Sequence, residues 1–311
     1  MNRLHVSASV KGLAWGLFAI SIWVSWMLAT RWGVRGTLDF WDLTALRFAA
    51  AGAILAPVAL KAGLDPRRLG SGGASGIAIW AAMIAGAGFI YSLAAAAGFM
   101  FAPIAHGSVM LPGTMPLFVA LLSVVVLGEK IAPARRAGFL LIPLGVLCLA
   151  WAGIAHGTGG EWRGQLIFVG AAFLWACYTI AMRKSGLSPL GAAALVSAWS
   201  AILYLPYYAL FHGENLVRAG WPEILGQALM QGALSSVVSL VAYNRALQLL
   251  GASRGAALAS LVPVLATLFA IPLLDEWPAP LDWLGVAIIS IGVYLATGGP
   301  TPWGRIAGHA A

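Results

Sequence analysis

Four polar side chains, Gln231, Ser235, Ser239 and Tyr243, recur at every fourth position of a largely apolar run. On a helix, steps of four drift by only about 40°, so the four form one inclined stripe. Ser253, Ser260 and Thr267, at intervals of seven, form a second polar face. In apolar surroundings such groups line a cavity or bond across to a packed neighbour, and both readings stand at this level. Trp23, Trp26, Tyr91, Trp175, Tyr178 and Tyr243 add rings with a polar tip. These suit an amphipathic ligand, an occluding gate, or a packed core. His106 can handle a proton near neutral pH or simply bond at a helix end. Pro116 and Pro263 remove an N–H in mid-run and free a carbonyl, so each is an expected bending point or a packed kink.

Catalytic signatures are missing. The chain has no His-Glu-x-x-His, no Gly-x-Ser-x-Gly and no Cys/His cluster, so no catalytic residue, metal ligand or cofactor site is expected. Cys148 and Cys177 lie inside apolar runs and imply no disulfide framework. Of 311 residues 61% are hydrophobic and 9% charged, and the mean hydropathy is +0.89. Soluble domains are roughly 45–50% apolar and about 25% charged. This balance excludes an ordinary soluble enzyme, a disordered chain and a nucleic-acid binder. The elements that position the polar residues must lie in a lipid bilayer.

Ten apolar runs reach the ~20 residues that a helix needs to cross about 30 Å of hydrocarbon. They lie near Gly12–Thr30, Leu43–Leu60, Ile77–Phe99, Gly107–Leu127, Ala137–Ile154, Gly164–Met182, Leu190–Phe211, Ile224–Leu250, Ala252–Leu274 and Leu281–Thr297. Strand-type alternation is absent, so the expected fold is an all-α integral membrane protein. The first run lacks a small-residue cleavage site and is read as a span rather than a leader. With the N-terminus inside, thirteen of the 18 Lys and Arg fall on cytoplasmic segments. By the positive-inside rule both termini are then cytoplasmic, and the net charge of +8 is orientation bias. Arg47 lies within the second run, where snorkelling or pairing with Asp42 accounts for it. Glu129 and Glu276 are expected to close helix ends against basic or amide groups.

The chain repeats itself. Pro116, Glu129, Pro133, Gly138 and Gly145 match Pro263, Glu276, Pro280, Gly285 and Gly292 at an offset of 147. Gly12, Trp23, Arg31, Tyr91 and Ala94 match Gly164, Trp175, Arg183, Tyr243 and Ala246 at an offset of 152. Each half carries five runs, an odd number, so the second copy must enter the membrane from the opposite side. Loop charge agrees: Lys130, Arg135 and Arg136 follow Glu129, whereas Asp275 and Asp282 flank the counterpart, with no Lys or Arg between them. The expected architecture is ten transmembrane helices as two inverted five-helix repeats, 11–154 and 163–298, around a central cavity, with a cytoplasmic tail at 299–311.

The doubled Pro, thirteen residues to Glu, then Pro and spaced Gly resembles the paired EamA domains of the drug/metabolite transporter superfamily. The chain looks most like its YddG-type amino acid exporters. The second copy departs from the family pattern in reading Asp275-Glu276 where Gly-Glu is usual. The resemblance implies an alternating-access carrier in the bacterial inner membrane that exports amino acids, aromatic and other neutral ones included. Its cavity would be lined mainly by spans one, three, four, six, eight and nine. A carrier of a purine, a drug-like amphiphile or a sugar nucleotide is the alternative, and homo-oligomerisation is left open. Gly12–Thr30 holds no carboxylate, which argues against a small-multidrug-type exchanger.

Overall fold

The computed structural model describes residues 8–155 and 159–298. The expected tail at 299–311 lies outside the described residues. Every regular element described is helical. The first half contains α1 (Ala8–Arg35), α2 (Phe40–Ala62), a 3-10 turn (Pro66–Arg68), α3 (Gly73–Ala87), α4 (Phe89–Phe101), α5 (Ile104–Leu127) and α6 (Pro133–Ala155). The second contains α7 (Glu161–Ser185), α8 (Pro189–Phe211), the short α9 (Glu214–Arg218) and α10 (Trp221–Gln227), a π-helical segment (Ala228–Val238), α11 (Ser239–Leu250), α12 (Ala252–Ala259), α13 (Val262–Leu274) and α14 (Pro280–Ala296).

Eight helical segments are long and apolar enough to cross a membrane. Two of them are composite, Gly73–Phe101 and Trp221–Leu250. Val262–Leu274 and Pro280–Ala296 are apolar but shorter. The ninth run is interrupted because the chain turns at Ser260 and Leu261 and restarts with Pro263 in the first turn of α13. Proline is tolerated there because its missing N–H would have had no partner. Its counterpart Pro116 lies inside the continuous α5, so the two prolines do not act alike.

Helix ends follow local chemistry. Asp39 caps α2, accepting from the backbone N–H groups of Trp41 and Asp42, while Asp42 accepts from the N–H of Asp39. Gly128 ends α5 in the left-handed conformation, with φ 68°. At the equivalent end of α13, Asp275 takes the same conformation with φ 53°, the only positive φ outside glycine among the described residues. Short polar side chains tolerate this region, so the departure at Asp275 keeps the helix end that Gly128 makes.

The core is built from α1, α4, α5, α7 and α13, with Ile20, Phe99, Val109, Phe168 and Ala266 buried together. Helices α6 and α14 approach most closely, because Gly138 and Gly145 face the backbone of Gly292 and Gly285. A Cβ on Gly145 would lie 3.1 Å from the N of Ile289 and 3.2 Å from the O of Gly285. Outward-facing Val125, Leu140 and Leu210 remain exposed, as expected of a lipid-facing surface.

Candidate functional site

Residues that the repeat register equates meet crosswise. Arg31 on α1 pairs with Glu276 after α13, Nε to Oε1 at 2.6 Å. Its counterpart Arg183 on α7 pairs with Glu129 after α5. Trp23 packs on Tyr243 with ring centroids 4.8 Å apart at 56°. The equivalent pair, Tyr91 and Trp175, lies 5.0 Å apart at 53°. Each half therefore supplies one partner to every pair.

The two ends of the bundle differ in solvent access. Glu276 and Arg31 are 10% and 12% exposed. The Glu276 carboxylate also accepts from Arg35 Nη1 at 3.3 Å and from the Ile104 N–H at 2.7 Å, and Arg31 donates to the Phe99 carbonyl. These five charge-assisted and helix-end groups tie α1, α4, α5 and the end of α13 together here. At the other end Arg183 and Glu129 are 44% and 46% exposed. The Arg183 guanidinium, chiefly by hydrogen bonding, holds the Glu129 carboxyl below its ordinary range. A cavity of about 440 Å³ opens beside this pair. It is floored by Trp175, Met115 and Pro116 and flanked by Thr179, Ser123 and Phe139.

The sequence-predicted side chains fall into four groups. Trp175 lines the open cavity, with Tyr91 behind it and Tyr178 at 5.3 Å. Trp23 and Tyr243 form the second aromatic pair. Trp26 donates from Nε1 to Gln231 Oε1 at 2.7 Å, and Gln231 donates to Thr30 Oγ1 at 2.9 Å. Ser235 and Ser239 bond the carbonyls of Gln231 and Ser235, each at 2.6 Å, and Ser236 also reaches the Gln231 carbonyl at 3.0 Å. The polar stripe is thus partly consumed in its own helix. Its π-helical stretch closes wider turns, and the hydroxyls occupy carbonyls of that segment.

His106 is the fourth group. It is 1% exposed, and its Nε2 lies 3.0 Å from Asp282 Oδ1. Gln165 Nε2 donates to the Leu149 carbonyl at 3.0 Å and lies 3.1 Å from His106 Nδ1. Glu161 Oε2 stands 3.8 Å from the same nitrogen. The ring is therefore buried and hydrogen-bonded in the first turn of α5. A polar cavity of about 370 Å³, shared by Asp282, Glu161, Glu276 and Arg31, borders it.

Arg47 does not pair with Asp42, whose carboxylate serves the α2 cap, Asn215 and Tyr208. Its guanidinium instead turns inward, with Cζ 5.8 Å from the Trp26 ring centroid. The signal was available: an arginine in an apolar run, four residues beyond the residue that follows an already committed cap acid. Asp282 and Gln165 were missed because nothing in their spacing points to His106.

An EamA-like transporter family model matches residues 10–151 and again 162–298. A Pseudomonas aeruginosa protein named only as uncharacterized is 32% identical over 248 residues, 78% of this chain and 79% of that protein. An Escherichia coli K12 protein named "Probable amino-acid metabolite efflux pump" is 31% identical over 191 residues, 57% of this chain and 62% of that protein. A protein of known crystal structure superposes with a TM-score of 0.57 at 24% identity, over 92% of this chain and 96% of its own, a likeness of fold alone. With both of its halves matched, this chain belongs to the EamA-like transporter family.

Proposed function

We propose that the chain is a secondary carrier of the bacterial inner membrane that exports amino acids by alternating access, without catalysing a reaction on them. In this reading ten spans form two inverted repeats, 11–154 and 163–298, with α12–α13 and α14 serving as the last two spans and both termini cytoplasmic. The observation that carries it is the crosswise pairing of equated residues with unequal solvent access: Arg31–Glu276 is largely buried, beside the cavity of about 370 Å³, and Arg183–Glu129 is half-exposed beside the larger one of about 440 Å³. An inverted repeat makes the two ends alternatives of one another, so closing one and opening the other amounts to exchanging their states. Lys130, Arg135 and Arg183 at the open end suit the cytoplasmic side, which makes this conformation inward-facing.

Two features support a small amphipathic solute. The cavity volume of about 440 Å³ lies in the ~300–1,000 Å³ range of small-molecule sites. Its deep wall is aromatic, Trp175 against Tyr91, whereas its mouth is charged. The relative named as an amino-acid metabolite efflux pump supports the amino acid label. Counterflow into liposomes holding the purified full chain tests it. Saturable exchange of labelled neutral amino acids is expected. Exchange confined to purines, sugar nucleotides or lipophilic cations would reject the substrate class, and no exchange of any solute would reject the carrier.

A further inference from the structure

Among the described residues no ion pair holds Arg47. Its Nη1 lies 3.4 Å from Ser235 Oγ, beyond the usual ~2.7–3.2 Å. Its Nε is shielded from solvent and has no hydrogen-bond partner. The Ser92 hydroxyl, also buried, has none either. Both residues line the same small polar space, together with Trp26, Thr30, Thr44 and Gln231. Arg47 is partly buried, and a shielded guanidinium N–H with no partner and no counter-charge is costly unless something supplies the anion. Here a planar fork of donors and a free hydroxyl stand side by side against an indole face.

We infer that Arg47 and Ser92 form the carboxylate subsite of the carried solute. The solute is then an amino acid or a similar monocarboxylate, held by its acid group, and not an amine or a neutral drug. A carboxylate presents two coplanar oxygens that match the guanidinium fork, and one negative charge balances the one positive charge of the space. Trp26 offers its ring to the solute's apolar part. The inference rests on the carrier reading and deepens it.

The subsite is closed in this conformation. The space at Arg47 is about 10 Å³, room for about one water-sized group. One wall is the π-helical segment, where a Cβ on Gly232 would lie 3.0 Å from the Arg47 carbonyl oxygen, so this segment must withdraw for solute to enter. Trp175 in the wall of the open cavity packs on Tyr91, the residue adjoining Ser92.

The test uses the full chain in liposomes, with labelled phenylalanine in counterflow. Competitors are free amino acids, their amides, the corresponding decarboxylated amines, and inorganic phosphate. Free acids should compete, and amides, amines and phosphate should not. Arg47→Gln should raise the half-saturating concentration on the order of 30-fold and abolish the preference for acid over amide. Arg47→Lys should keep that preference, and Ser92→Ala should weaken acids alone, by roughly fivefold. Unchanged half-saturation in Arg47→Gln with a wild-type thermal midpoint would overturn the assignment. So would amides competing as well as acids in the wild type, or phosphate competing better. If Arg47→Gln does not fold, Ser92→Ala decides by the same criterion. Should the wild type exchange no solute, the carrier reading falls. Quenching of tryptophan fluorescence by free acids, present in the wild type and lost in the variants, then decides the subsite separately.

Discussion

Replacing Glu276 with alanine removes the acceptor at the centre of the closed end. Its carboxylate takes Arg31 Nε at 2.6 Å, Arg35 Nη1 at 3.3 Å and the Ile104 N–H at 2.7 Å. Removing one partner of a buried ion pair costs about 3–5 kcal/mol. Arg31 keeps the Phe99 carbonyl, and Arg35 is half exposed, so the lower value applies. About 3 kcal/mol shifts the balance between the two end states by roughly 150-fold. Glu129→Ala removes a pair whose members are 46% and 44% exposed, and solvent screening leaves it a far smaller effect. The assay is pulsed electron spin resonance on label pairs at Met100 and Trp277 for the closed end and at Lys130 and Lys184 for the open end, after replacement of Cys148 and Cys177. All four label sites are exposed. In Glu276→Ala the first distance should lengthen and the second shorten. Unchanged distributions, or an equal response to Glu129→Ala, would refute the assignment of the buried pair as the dominant lock.

Three further outcomes follow from the same geometry. Gly138→Val drives a side chain into the backbone of Gly292 and Ala296; it should cost about 1–3 kcal/mol, read as a lower thermal midpoint in detergent, and an unchanged midpoint would mean that α6 and α14 are not tightly packed. Trp175→Ala opens the cavity floor and loses the Tyr91 contact, so counterflow should weaken by about tenfold while Trp175→Phe stays within about threefold, the aromatic contact being worth about 0.5–1.5 kcal/mol; equal loss in both would point to the indole N–H instead. Because Arg183 lowers the Glu129 carboxyl, the pair's contribution is fully present above the ordinary carboxylate pKa of about 4.3 and is lost as pH falls through the lower folded value. The distance between labels at Lys130 and Lys184 should therefore hold constant from pH 8 to about pH 5 and change only in stronger acid; a change near pH 6–7 would assign the response to another group.

The apolar runs, the loop positions and the doubled register could be read from the sequence because each rests on local composition or on matched spacing. Arg31 and Arg183, with Glu129 and Glu276, were visible as repeats of type, yet nothing local states that each arginine bonds the other half's glutamate. The interruptions at Gly88 and at Ser260–Leu261, and the π-helical stretch from Ala228 to Val238, escaped the reading because hydropathy does not register backbone hydrogen-bond phase. His106 could be read as a hydrogen-bonded residue at a helix end, but its partners Asp282 and Gln165 lie on helices remote in sequence and could not. For Arg47 the sequence offered snorkelling or a pair with Asp42, but that acid is already taken by the α2 cap, Asn215 and Tyr208.

The central claim is that the two halves lie in opposite senses in the membrane, which makes the two ends interchangeable states of one carrier. Single cysteines at Lys130 and at Trp277, on the linkers after Glu129 and Glu276, can be probed in intact cells with a membrane-impermeant thiol reagent. With the halves opposed, the cysteine at position 277 is labelled from outside and the one at position 130 is protected until the membrane is opened. Labelling of both positions from one side would contradict this arrangement.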